Sequence, residues 1–383
     1  MKKRDFLQCC GAGVLCGLAG TPLPERWRAD VDLLFGADVQ QEGLWRWSKE
    51  ALFVENTGAG IHCLKCPNGC TIPDGGTGLC RNRVNLHGKL YSIAYGNPCA
   101  VHVDPIEKKP LMHFLPGTRA FSIATAGCNL SCLNCQNWQI SQVGPKETDN
   151  TDLMPQAVVE AGAKNGCASI AYTYGEPTTF YEYAYDTAVL ARARGIRNVW
   201  KSNGYIEEGP LRQLCGVIDA ANIDLKSFDD GIYGRLNAGT LEPVLRTLRI
   251  FHEMHVWLEI TNLVIPGWTD DVAMIRRMCD WLVANKLESV PLHFTRFLPL
   301  YKLNQVSPTP VKLLEDAHTA AVDAGMKYVY IGNVPGHPRE HTYCHQCGKM
   351  IIERHGYTVV MTGMIKGHCA FCHAAIPGVW SPV

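Results

Sequence analysis

The sequence lacks a net charge: 36 lysines and arginines balance 36 aspartates and glutamates over 383 residues. Nothing global therefore points to nucleic acid or an acidic surface as a partner. It also lacks a long apolar run. The mildly apolar stretch near the N-terminus is too short and too glycine-rich to span a bilayer, so no transmembrane helix is expected. Low-complexity segments are absent, and no repeat exists beyond an alternation of strand and helix patterns. At 19% charged and 46% hydrophobic residues, the composition excludes a disordered or fibrous chain and fits a globular one with a full core.

Cysteine is not scarce. Eighteen are too many, and too scattered along so long a chain, for a small secreted disulfide scaffold. Three clusters of three, four and four cysteines have spacings that suit one metal centre each, which makes a reducing compartment the expectation. Cysteines 9, 10, 16, 99, 167, 215 and 279 fall outside the clusters and read as leader or core residues.

The N-terminal MKKRDFLQCCGAGVLCGLAGTPLP has a basic start and a Lys3-Arg4-x-Phe6-Leu7 run. It resembles a twin-arginine export signal with lysine in the first arginine position, but no small-residue cleavage site or lipobox follows. Residues 1–40 thus read either as a Tat-like leader or as a disordered basic N-terminus. The first leaves periplasmic export open; the second agrees with a cytoplasmic protein.

From Ala120 the texture changes to short β-branched or aromatic runs alternating with longer amphipathic ones. Strands are predicted at 121–126, 168–174, 198–203, 220–226, 256–264, 291–297 and 327–333. Helical patterns lie between them: MPQAVVEAGAK, TTFYEYAYDTAVLARARG, TLEPVLRTLRIFHEM, DVAMIRRMCDWLVAN and TPVKLLEDAHTAAVDAG. This alternation calls for an α/β fold with a parallel sheet, either a barrel or an open doubly wound sheet. The expected division is a four-cysteine module over 41–115, the β/α body over 116–340 and a four-cysteine tail over 341–383.

Chemistry concentrates in ATAGCNLSCLNCQNW, where Cys128, Cys132 and Cys135 form C-x3-C-x2-C directly after a predicted strand. Four thiolates would close an iron–sulfur or zinc site. Three leave one iron of a [4Fe–4S] cluster open to a ligand that is not protein, at the strand-end mouth where β/α enzymes keep their chemistry.

This arrangement resembles the radical S-adenosylmethionine (SAM) superfamily. CNLSCLNCQNWQIS, TYGEPT, SNGYI, DLK, VIPG and YIGNVPG, in this order, further resemble the radical SAM enzyme of the AmmeMemoRadiSam system, a relative of pyruvate formate-lyase activating enzyme. The resemblance spans roughly residues 60 to 380 and implies a partial (β/α)6 TIM-type barrel. It implies a [4Fe–4S] cluster, reductive cleavage of SAM to a 5′-deoxyadenosyl radical, and hydrogen abstraction from a substrate, either a glycyl radical enzyme or a small molecule. It also implies an electron donor such as flavodoxin or ferredoxin, and a Memo-type partner.

Carried over by position, the resemblance gives cofactor contacts to Gly175 and Glu176 at the amino group and Asn203 near the ribose or methionine. Lys226 falls at the carboxylate, Asp224 beside it, and His293 at a strand end. Glu259 or Asn262 faces the cavity, depending on register. Two positions depart from the pattern. The residue before the third cysteine, usually an aromatic that packs on adenine, is Asn134, leaving Trp138 or Phe180 as substitutes. Gly175 stands where the group often has asparagine. Asn134 and the export-like leader leave a competing class open, a metal-bearing electron-transfer or binding protein on a barrel that no longer cleaves the cofactor.

The tail cysteines Cys344, Cys347, Cys369 and Cys372 form CxxC-x21-CxxC, the pattern of a four-thiolate zinc ribbon, although a rubredoxin-like iron site has the same geometry. His368 and His373 flank it as bystanders. Cys63, Cys66, Cys70 and Cys80 make a second closed set. Its glycine-rich hairpins favour structural zinc, while its Cys-Pro dipeptide suits a ferredoxin-type [4Fe–4S] loop. One or two zinc sites are therefore expected.

Overall fold

The computed structural model describes residues 45–381; the leader expected over 1–40 lies outside them. Among the described residues no helix is long and apolar enough to cross a membrane.

The N-terminal segment is built from short strands, as its turn-rich sequence predicts. β1 (Lys49–Glu50) pairs with β6 (Lys89–Ser92) and β6 with β5 (Arg83–Leu86); β2 (Val54–Thr57), β3 (Gly60–Cys63) and β4 (Thr71–Ile72) form a second small sheet. Next comes β7 (Ala100–Pro105), the antiparallel edge of an eight-stranded sheet. Seven parallel strands follow in chain order: β8 (Arg119–Ala124), β9 (Ser169–Tyr172), β10 (Arg197–Ser202), β11 (Ala220–Asp224), β12 (Trp257–Val264), β13 (Leu292–Arg296) and β14 (Val329–Gly332). They are the seven predicted strands. Their near-continuous apolar runs mark strands covered on both faces, as β8 and β9 are. β14 and β7 are the two ends of the sheet and do not pair with each other, so the barrel is partial.

Six helices make the crossovers: α1 (Pro155–Lys164), α2 (Tyr181–Ala193), α3 (Glu208–Cys215), α4 (Glu242–Glu253), α5 (Val272–Ala284) and α6 (Val311–Ala324). In α4 the buried Val244, Leu245, Leu248 and Phe251 recur at helical spacing, so one stripe faces the sheet. Asp271 caps α5 by accepting from the Ala273 N–H, and Gly325 ends α6 at φ 106°. The tail adds β15 (Thr342–Tyr343), β16 (Met350–His355), β17 (Thr358–Met361), β18 (Met364–Ile365) and β19 (His368–Cys369).

Two buried polar joints tie these parts together. Glu182 in α2 accepts from Lys65 Nζ at 2.8 Å, Arg83 Nη1 at 2.7 Å and the Leu52 N–H at 2.9 Å, which fastens the N-terminal segment to a barrel helix. Burial raises the acid's pKa, but Arg83 and Lys65 outweigh it and hold the carboxyl at about 2. On the other side, His113 bonds the Pro377 carbonyl through Nδ1 and the Tyr330 hydroxyl through Nε2, both at 2.7 Å, joining the tail to the barrel.

Glu182→Gln should lower stability to urea at pH 7 by about 3 kcal/mol, the worth of a carboxylate held at about 2, well below the ordinary glutamate range. Because the folded pKa is depressed, that contribution is full above the ordinary glutamate range and disappears as pH falls toward 2. The gap between wild type and variant should therefore narrow below about pH 4.5. An unchanged gap would remove Glu182 as the joint.

Candidate functional site

Cys128, Cys132 and Cys135 lie in the loop after β8, at the C-terminal edge of the parallel sheet. They line a cavity of about 810 Å³, within the range that holds cofactor-sized ligands. The loop is fixed from several sides. The Ser131 and Leu133 N–H groups donate to the carbonyls of Asn237 and Leu236, and the Gly127 N–H to that of Ile140. A Cβ on Gly175 would stand 2.8 Å from the Thr125 carbonyl oxygen, so only glycine lets the TYGEP turn approach this closely. The preceding Tyr174 is held at φ 61°, a strained value for a bulky residue, and its carbonyl accepts from Asn137 Nδ2 at 2.7 Å.

Burial pushes the Cys128 thiol well up, with Glu176 and Cys132 adding to it; burial and Cys132 raise Cys135, against Lys226. Two carboxamides donate to the sulfurs: Asn203 Nδ2 to Cys128 at 3.8 Å and Asn237 Nδ2 to Cys132 at 3.2 Å. Such donors tune thiolate-bound iron. Asn237 ends a π-helical turn, Tyr233–Asn237, a local distortion common at functional sites. No sequence signal singles it out.

Glu176 is buried, and three donors occupy its oxygens: the Thr178 N–H, Ser202 Oγ and the Asn203 N–H, at 2.8–3.0 Å. It clamps the loops after β9 and β10 to each other. Asn203 turns its carboxamide to Asn129 Oδ1 at 2.9 Å and to Cys128.

Asp224 lies between two ammoniums. Lys201 contacts its Oδ1, and Lys226 Nζ lies 3.1 Å from its Oδ2. Burial opposes the charge on Asp224, but the two lysines hold its carboxyl at about 2. Lys226 is raised, because Asp224 outweighs burial, and Lys201 is lowered chiefly by burial. Two cations against one anion leave a positive charge on the cavity wall, where a ligand carboxylate would be bound. Lys201 escaped the sequence reading although it opens KSNGY; only the neighbouring register of β10 and β11 brings it beside Asp224.

Two strands along, level with Asp224, His293 Nε2 meets Glu259 at 2.7 Å and stacks on Tyr330, ring centres 5.1 Å apart. Glu259 is fully buried and also accepts from the Met112 and His113 N–H groups and from Trp257 Nε1. It holds the segment around Met112 against the barrel. Asn262 donates to the Leu225 carbonyl.

Neither aromatic substitute for adenine packing lines the cavity. Phe180 is fully buried in the main core, and Trp138 stacks on Tyr301. Asn134 itself lines the cavity, and its Oδ1 is buried without a hydrogen-bond partner.

In the tail, Cys344 and Cys372 sulfurs are 3.6 Å apart and Cys347 and Cys369 3.7 Å. A tetrahedron of metal–sulfur bonds about 2.3 Å long has edges of about 3.8 Å, so the set fits one four-coordinate ion.

A model of the radical SAM superfamily matches residues 122–279. The chain is 46% identical over 327 residues to an uncharacterized protein of Methanocaldococcus jannaschii, covering 85% of this chain and 97% of that one. It is 25% identical over 231 residues to pyruvate formate-lyase 1-activating enzyme of Escherichia coli, covering 56% of this chain and 93% of that enzyme. Among solved structures, Streptococcus suis SuiB bound to S-adenosylmethionine aligns with a TM-score of 0.45 at 13% identity, covering 63% of this chain and 56% of SuiB. The chain belongs to the radical SAM superfamily, a family of enzymes whose membership implies a [4Fe–4S] cluster and SAM.

Gly175→Ala should cost about 1–3 kcal/mol by forcing the TYGEP turn off Thr125. It should also lower the iron retained per chain, read by metal analysis beside thermal unfolding; unchanged values for both would show that the close approach is not required.

Proposed function

We propose that the protein cleaves SAM reductively and takes a hydrogen atom from a substrate in the same cavity, with an activating-enzyme-like role. The observation that carries this reading is the juxtaposition, around one cavity, of three thiolates with an open side and the Lys201–Asp224–Lys226 set. Cys128, Cys132 and Cys135 would hold the [4Fe–4S] cluster. Bound there, cluster and cofactor supply one-electron cleavage of the sulfonium carbon–sulfur bond.

The protein's own part is to bind, orient and exclude water. Lys201 and Lys226 neutralise the cofactor carboxylate, with Asp224 keeping both in place. Gly175 allows the strand-end backbone to approach the amino group, and Glu176 supports it with negative charge while positioning both loops. The unpartnered Asn134 Oδ1 supplies an acceptor for the adenine amino group where an aromatic is usual. His293 lines the same cavity and would face substrate, with the buried Glu259 behind it holding the ring. The relationship to an activating enzyme favours a glycyl radical protein as that substrate and a flavodoxin- or ferredoxin-type electron donor. The need for SAM and low-potential electrons favours a cytoplasmic setting. The division into segments at 116 and 341 and a Memo-type partner belong to the same proposal, as does zinc in the tail.

Anaerobic reconstitution, reduction and addition of SAM should yield 5′-deoxyadenosine from the wild type and none from a variant with Cys128, Cys132 and Cys135 all changed to Ala. A loaded, reducible cluster that gives no product would instead support the non-cleaving electron-transfer reading, which the absence of an aromatic at Asn134 favours. Lys201→Ala should weaken SAM binding about tenfold, the worth of one charge-assisted contact, with iron content unchanged. Unaltered affinity in a titration of the reduced protein would take Lys201 out of the site.

A further inference from the structure

Cys63 closes β3, Cys66 and Cys70 lie in the loop after it, and Cys80 lies in the turn before β5. The four residues line one void, together with Lys65, Arg83 and Asn129 among others. The void offers about 20 Å³ to the centre of a water-sized sphere, where roughly 10–15 Å³ is enough for one water. A close sulfur tetrahedron around a single ion leaves no such space. Among the described residues, the tail is the one set in which three or more ligand atoms all lie within 4.8 Å of one another. Neither the N-terminal set nor the Cys128, Cys132 and Cys135 triad is grouped in this way among the described residues. A [4Fe–4S] core holds its thiolates farther apart than the edge of about 3.8 Å around a single tetrahedral ion. In this the N-terminal set is like the triad and unlike the tail.

The wall of the void is also prepared for an anionic group. Arg83 is 2% exposed; its Nη1 is taken by Glu182, but its Nη2 has no partner. Lys65 and Arg83 against the single carboxylate of Glu182 leave one positive charge beside four thiolates.

The void adjoins the triad's loop. Asn82 Nδ2 donates to the Ala126 carbonyl at 2.7 Å, and a Cβ on Gly127 would stand 2.5 Å from the Cys80 carbonyl oxygen. Asn68, between Cys66 and Cys70, donates to the Asn129 carbonyl at 2.7 Å, and Asn203 bridges Asn129 Oδ1 to the Cys128 sulfur. A chain of carboxamides therefore runs from the void to a ligand of the catalytic cluster.

We infer that Cys63, Cys66, Cys70 and Cys80 hold a second, closed [4Fe–4S] cluster, and not the structural zinc that the glycine-rich hairpins favour. This goes beyond the proposed SAM chemistry and does not depend on it, because the test uses the chain without its catalytic triad. The full-length variant with Cys128, Cys132 and Cys135 changed to Ala, purified anaerobically and reconstituted, should retain about four irons with a [4Fe–4S] Mössbauer signature, against about eight in the wild type. A second full-length variant, with Cys63, Cys66, Cys70 and Cys80 changed to Ala, should lose half the wild-type iron. Should the triad variant prove iron-free, or the wild type hold about four irons and two zincs per chain, the second cluster would be ruled out.

Discussion

Three cysteine thiols on one loop, one buried and two half-buried, are the constraint around which this protein is built. Burial drives the Cys128 and Cys135 thiols toward the protonated form, yet iron binds thiolates. The surroundings resolve the conflict in one direction. Carboxamides of Asn203 and Asn237 donate to two of the sulfurs, Lys226 lies near the third, and bound iron would supply the remaining positive charge. The backbone serves the same end. The loop can reach this position because Gly127 passes close to Cys80, Gly175 passes close to Thr125, and Glu176 holds the next two loops together.

Two groups of side chains face the cavity from neighbouring strands. Two lysines on one aspartate have positive charge to offer an anionic group. Beside them stand His293 and Tyr330, with the buried Glu259 behind, whose oxygens are already occupied by backbone and ring donors. The lysines suit an anionic ligand, and the two rings shape the space next to it.

Much of this was legible in the sequence. The seven parallel strands are apolar runs long enough to be read without context, and five of the six crossover helices show helical spacing. The sixth, α3, hides because Gly209 and Pro210 sit in its first turn, where proline is tolerated but looks like a breaker. β7 hides because an exposed edge strand ending in Pro105 lacks an apolar run. The Cys128, Cys132 and Cys135 triad was legible because its spacing is local chemistry. Lys201 and Asn237 were not, since strand register and a π-helical turn bring them to the site. Trp138 and Phe180 show the same limit, since a nearby aromatic in sequence is not one that faces the cavity. Sulfur separation at the N-terminal set is a tertiary property too, and CxxCxxxCx9C reads alike for zinc and for a cluster.

The most direct test of the account is the EPR spectrum of the reduced, reconstituted protein with and without SAM. If the Cys128, Cys132 and Cys135 cluster has an open iron that takes the cofactor, adding SAM should shift the g values of part of the signal. The triad-to-Ala variant should show no shift. A fully reduced wild-type spectrum that SAM leaves unchanged would contradict the open-iron site on which the proposed chemistry rests.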